Sequence, residues 1–154
     1  MLGLSVRVYG QERFNLSTGV GFPEVLYLGA SYQLRQTQIG VDFGWEPFRN
    51  VDWITMSVNG YYHFAGVSHF SNRRPWYGRI GLVYMKQTEE DFIDNYFDLL
   101  LRAGRDLNFS PRFGIALDAG IMIGEIGEIK GVWDSYFFLA PSLGITLFYR
   151  LKSN

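Results

Sequence analysis

The run Ser142-Leu143-Gly144-Ile145-Thr146-Leu147-Phe148-Tyr149-Arg150-Leu151 changes character at every residue. Leu143, Ile145, Leu147, Tyr149 and Leu151 share one face, whereas Gly144, Thr146, Phe148 and Arg150 share the other. A period of two belongs to a β-strand with two unlike surfaces. The same alternation recurs along the chain, and helical spacing fits no segment better. Such a chain must build sheet.

Composition narrows the choice of sheet. The 154 residues are 47% hydrophobic and 18% aromatic, yet mean hydropathy is close to zero, so polar residues dilute the apolar ones evenly. No window of 18 apolar residues exists, which excludes an α-helical membrane span. The absence of cysteine removes disulfides and thiolate metal sites, and a net charge of −1 gives no case for nucleic acid.

From residue 13 the alternation resolves into eight runs. They are Arg13 to Phe22, Val25 to Arg35, a third with Ile39 to Trp45, a fourth with Ile54 to Phe64, Pro75 to Lys86, a sixth with Phe97 to Ala103, a seventh with Phe113 to Ile123, and Ser135 to Leu151. Reversals are expected at Pro23-Glu24, Pro47 to Asp52, Gly66 to Arg74, Gln87 to Asn95, Asp106 to Ser110 and Glu125 to Asp134, the last being the longest loop. Residues 1–10 read either as an extra strand or as the remnant of a secretory signal peptide. The strand count closes without them, which favours the remnant. Residues 11–154 then form one barrel domain.

Eight strands suffice for a closed barrel, and about ten residues let a tilted strand cross a bilayer. Alternation alone also fits a soluble lipocalin-like barrel with apolar residues inside. Three features favour a membrane. Every run has a large aliphatic face, and glycines such as Gly29, Gly81, Gly104, Gly120 and Gly144 collect on the polar register, where they would leave room in a narrow lumen. Aromatic residues gather near strand ends, among them Trp45, Trp53, Tyr62, Trp76, Tyr96 and Trp133. The expected fold is all-β, an antiparallel up-and-down eight-stranded transmembrane β-barrel.

The terminal run carries a further resemblance. Ser142, Gly144, Leu147 and Tyr149 follow the order polar, any, Gly, any, any, apolar, any, apolar. This is similar to the C-terminal assembly signal of bacterial outer-membrane barrels, and the chain resembles small eight-stranded members of the OmpA and OmpX kind. The resemblance implies outer-membrane residence with periplasmic termini. It also implies contact with membrane lipid, lipopolysaccharide and the outer-membrane assembly machinery.

With that orientation, ten acids gather at the outer end: Glu24, Glu46, Asp52, Glu89, Glu90, Asp91, Asp94, Glu125, Glu128 and Asp134. An acidic mouth is expected, suited to cations or serving as a solvated rim. Arg35, Arg73, Arg74, Arg79, Arg105, Arg112, Arg150 and Lys152 form an opposing basic end. Inside, buried charge is costly unless paired, so Arg102 is expected to pair with Asp118, with Asp42 or Asp98 as second partner. His63 and His69 lack a serine in a nucleophile-elbow sequence, so no catalytic residue, metal or cofactor is expected. The function expected is a structural or accessory outer-membrane protein, including a subunit of a larger outer-membrane complex. A narrow channel or cation-binding barrel and a soluble ligand-binding barrel stand as alternatives.

Overall fold

In the computed structural model, residues 13–47, 52–89, 92–129 and 132–151 are described, with side chains for all of these except 89, 92, 125–129 and 132–136. Eight antiparallel strands close into a barrel in chain order. They are β1 (Phe14–Phe22), β2 (Val25–Leu34), β3 (Thr37–Trp45), β4 (Asp52–Ala65), β5 (Trp76–Glu89), β6 (Phe92–Asn108), β7 (Phe113–Ile129) and β8 (Val132–Leu151). The seam joins β1 to β8, from Phe14 opposite Leu151 to Phe22 opposite Leu143.

Register sets the shape. Paired residues lead around the wall from Phe14 through Tyr32, Ile39, Gly60, Ile80, Leu101 and Ile121 to Pro141. Pro141 lies two residues beyond Leu143, hence opposite position 24, so the walk returns ten residues from its start. That stagger tilts the strands by roughly 40° and leaves an interior only wide enough for side chains.

The alternation is inside out relative to a water-soluble protein. One outward residue from each strand, Leu16, Leu28, Val41, Val58, Leu82, Leu101, Leu117 and Ile145, is 36% to 58% exposed. Arg79, Arg102, Asp98, Arg150 and Glu24 are all 4% exposed or less. The inward register is not uniformly polar, however. Val83, Met85, Leu100 and Met122 form a buried apolar cluster with Trp53, Tyr96, Phe138 and Ala140 packed on it.

Several expected boundaries are corrected. The segment Glu125 to Asp134 is not the longest loop, because β7 continues to Ile129 and β8 begins at Val132. Gln87 to Asn95 is likewise mostly strand, and Asp106 sits within β6 rather than in a turn. Charged residues interrupt the two-residue alternation in both stretches, so the sequence reads as polar loop. The longest connection between described strands is residues 66–75, at the opposite end. Residues 1–10, the 1–10 and 11–154 division at its first boundary, and Lys152 lie outside the described residues.

Candidate functional site in the barrel lumen

Mid-barrel, three carboxylates meet two guanidinium groups. Glu24, in the turn between β1 and β2, folds inward and bridges both arginines. Its Oε1 accepts from Arg79 Nη2 at 2.7 Å and its Oε2 from Arg102 Nη2 at 2.6 Å. Asp42 of β3 takes Arg79 Nη2 at 3.1 Å, and Asp118 of β7 takes Arg102 Nη1 at 3.1 Å. Arg79 Nη1 also lies 3.7 Å from Asp118 Oδ2.

Neutral groups complete the network. Asn59 donates to Asp42 Oδ2 at 2.8 Å and accepts from Arg79 Nε at 2.9 Å. Tyr77 donates to Asp118 Oδ2 at 2.9 Å. Arg102 Nε donates to Ser142 Oγ at 2.7 Å, and Ser142 in turn donates to the Phe22 carbonyl at 2.6 Å. Ionised groups withdrawn from water are tolerable only with such saturation of their hydrogen-bonding edges.

Glycines make the space. A Cβ on Gly29 would lie 2.0 Å from Asp42 Oδ1, and one on Gly81 would lie 2.4 Å from Asn59 Oδ1. On Gly144 it would stand 2.5 Å from Asp118 Oδ1 and 2.8 Å from Arg102 Nη1. The run that resembles an assembly signal divides between the two faces of the wall. Ser142 and Gly144 face inward against the ion cluster, while Leu147 and Tyr149 are exposed outward.

Strand order stacks the lumen into layers. On β5 the inward residues run Tyr77, Arg79, Gly81, Val83, Met85, so the apolar cluster lies between the ion cluster and the end of the barrel that carries the β5–β6 connection. At the other end, Arg73 enters from the 66–75 segment and pairs with Asp106 at 2.6 Å. Arg73 also donates to Gln33 and Gln38 at 3.0 Å and 2.8 Å. Arg150 bonds to Asn108 and lies with its guanidinium 4.6 Å from the Phe148 ring centre.

Between this layer and the ion cluster is a cavity of about 40 Å³, lined by Asn15, Ser31, Tyr61, His63, Asp118 and Thr146 among others. Asn15 Oδ1 and His63 Nε2 have no hydrogen-bond partner among the described residues. The lining mixes these polar groups with Tyr77, Ala116 and Phe148, and the space is large enough for water.

Of the residues expected inside, the structure brings Arg102 to Asp118 and places Asp42 against Arg79 instead. Asp98 is not a partner of Arg102. Four residues along a strand is about 13 Å, with Leu100 between them, and the Asp98 carboxylate makes no hydrogen bond to a described residue. Two further residues are relocated. Glu24 belongs to the lumen, not the acidic mouth, and Arg79 belongs to the ion cluster, not the basic end.

Of the remaining mouth acids, Asp94 is half-buried on β6, where Tyr96 donates to it at 3.4 Å. Glu89, Glu125 and Glu128 lie on described strands, but their side chains, with the whole of Glu90 and Asp91, fall outside the described residues. His63 is buried, and its Nδ1 donates to the Arg74 carbonyl at 2.8 Å.

No protein-family model matches the chain, and no curated protein matches it. Among solved structures, the crystal structure of Neisserial surface protein A (NspA) is similar at 14% identity and a TM-score of 0.46, covering 92% of this chain and 95% of that one.

Proposed function

We propose that this chain is a small integral protein of the bacterial outer membrane, with a structural or accessory role and a lumen closed to solutes. One observation carries the reading: all eight strands present exposed apolar side chains outward while arginines and carboxylates pair inside. Water would make that outer face aggregate. A bilayer rewards it, and a closed barrel leaves no strand edge unpaired within the membrane.

The layered interior speaks against a solute channel. An apolar plug, an ion-paired middle and the Arg73–Asp106 layer fill the axis in turn. Packing of the apolar wall against a larger outer-membrane complex is the accessory version of this role.

Two measurements test it. The purified protein is expected to require detergent, and planar bilayers are expected to show no steady single-channel openings. A freely water-soluble monomer would overturn the location, and regular openings would overturn the closed lumen. Co-purification after mild detergent extraction addresses the complex, and a clean monomer would count against it.

A second reading, a cation site at the outer mouth, is favoured by Asp98, buried without a hydrogen-bond partner among the described residues on the mouth side of Leu100. Calcium titration of the wild type against Asp98→Asn tests it. Equal heats from the two proteins would rule the site out.

A further inference from the structure

The end of the barrel that carries Arg13 and Leu151 is ringed by exposed arginines. Arg13 precedes β1, Arg35 lies in the β2–β3 turn, Arg74 in the 66–75 segment, Arg105 on β6 and Arg112 in the β6–β7 turn. They are therefore spread around the circumference rather than gathered in one patch. Among the described residues, the carboxylate at this end is Asp106, and it is buried against Arg73. At the opposite end the described charged side chains outside the lumen layers are Glu46, Asp52, Lys86 and Asp94. The two ends thus differ in sign.

Three of the five arginines are fixed to aromatic residues at the lower edge of the apolar wall. The Arg105 guanidinium lies 5.3 Å over the Trp76 ring centre. Arg112 Nη1 is 3.5 Å from the Tyr149 hydroxyl, and Arg74 Nη1 donates to the Phe64 carbonyl at 2.8 Å. Trp76, Tyr149 and Phe64 are themselves 43%, 42% and 46% exposed. Each guanidinium is thereby held at the depth where hydrocarbon gives way to headgroups. Stacking leaves the Arg105 N–H groups available for paired donation to phosphate oxygens, and the contacts of Arg74 and Arg112 each engage one nitrogen of a guanidinium that has further N–H groups.

The geometry points to a ring of arginine sites that bind the phosphates of anionic phospholipids in the leaflet surrounding this end. The inference rests on the membrane reading given above. Charge complementarity selects the occupant. A zwitterionic headgroup offers the same phosphate, but its ammonium is repelled by a ring of one sign, whereas an anionic headgroup carries no such penalty. A basic residue near an anionic lipid surface contributes a factor of about five in association, so a lipid touching one ring arginine should be favoured at least threefold.

Trp76 supplies the reporter, because the other tryptophans are Trp45, Trp53 and Trp133. A Trp45→Phe/Trp53→Phe/Trp133→Phe protein, refolded into phosphatidylcholine vesicles, is titrated with brominated phosphatidylglycerol or brominated phosphatidylcholine, each of which quenches tryptophan on contact. Brominated phosphatidylglycerol should show an association constant at least threefold larger. The ratio should approach one in Arg74→Gln/Arg105→Gln/Arg112→Gln, and also near 1 M salt, where the screening length is about 3 Å.

A ratio near one before substitution overturns the inference, as does a ratio that neither the substitutions nor salt reduces. If the triple variant does not fold, the salt titration alone decides. Absence of quenching by either lipid in the folded protein would overturn the membrane reading itself.

Discussion

Glu24 and Arg102, 78 positions apart, meet across the lumen at 2.6 Å. The second oxygen of the same carboxylate takes Arg79 at 2.7 Å, so one side chain from a turn fastens two strands of the far wall. The following residue, Val25, has a φ of 57°, an unfavourable left-handed conformation for a β-branched side chain. The turn holds this conformation while its carboxylate is anchored by both arginines.

Glu24→Ala should therefore destabilise the protein by about 3–5 kcal/mol, the usual consequence of removing one partner from a buried ion pair. Asp52→Ala, at an exposed position, should change stability by no more than about 0.5 kcal/mol. Urea unfolding in lipid vesicles measures both. Similar losses at the two sites would mean that Glu24 has no special place.

Gly144→Ala and Gly78→Ala form a matched pair on opposite faces. An added methyl at Gly144 meets Asp118 Oδ1 at 2.5 Å, while one at Gly78 meets nothing within 4 Å. Overpacking should cost the first about 1–3 kcal/mol. Reduced freedom of the unfolded chain should leave the second neutral or stabler by about 0.4–1 kcal/mol. The two midpoints on one urea gradient make the comparison.

Leu117→Arg places a charge on the outer wall, where Leu117 is 43% exposed; Ala116, 7% exposed, lines the internal cavity. The arginine should cost about 2–4 kcal/mol near mid-bilayer, or prevent refolding into vesicles, whereas Ala116→Ser should refold at wild-type yield. Equal tolerance at both positions would contradict the side-chain register.

Leu100→Ala removes a fully buried side chain from the apolar plug that also holds Val83, Met85 and Met122. A loss of about 2–5 kcal/mol is expected. Thermal unfolding in micelles checks it, and a loss below about 1 kcal/mol would show that this layer is loosely packed.

The strand count and the outward faces were legible because period-two alternation reports directly on which side of a sheet a residue stands. Heights within the barrel were not. Arg79 lies three residues into its strand and so reads as near one end, yet a ten-residue stagger carries it to mid-lumen beside Asp42. The inward position of Glu24 had no sequence signal, since an acid after proline is ordinary in a solvated turn. The plug did leave a trace. Gly81-Leu82-Val83-Tyr84-Met85 and Leu99-Leu100-Leu101 are apolar on both registers, which a wholly polar interior does not require.

The partners of Arg102 come from the end of β1, the first turn, the seventh strand and the last strand. A curled sheet whose two margins have not yet joined would leave that cation without Glu24, without Ser142, or without both. Zipping the margins is thus what brings Glu24 to its two arginines, while Arg102 keeps Asp118 on the neighbouring strand, and any later parting of the margins strands the Glu24 carboxylate without its cations. The electrostatics at the centre act as a check on whether the cylinder has been sealed.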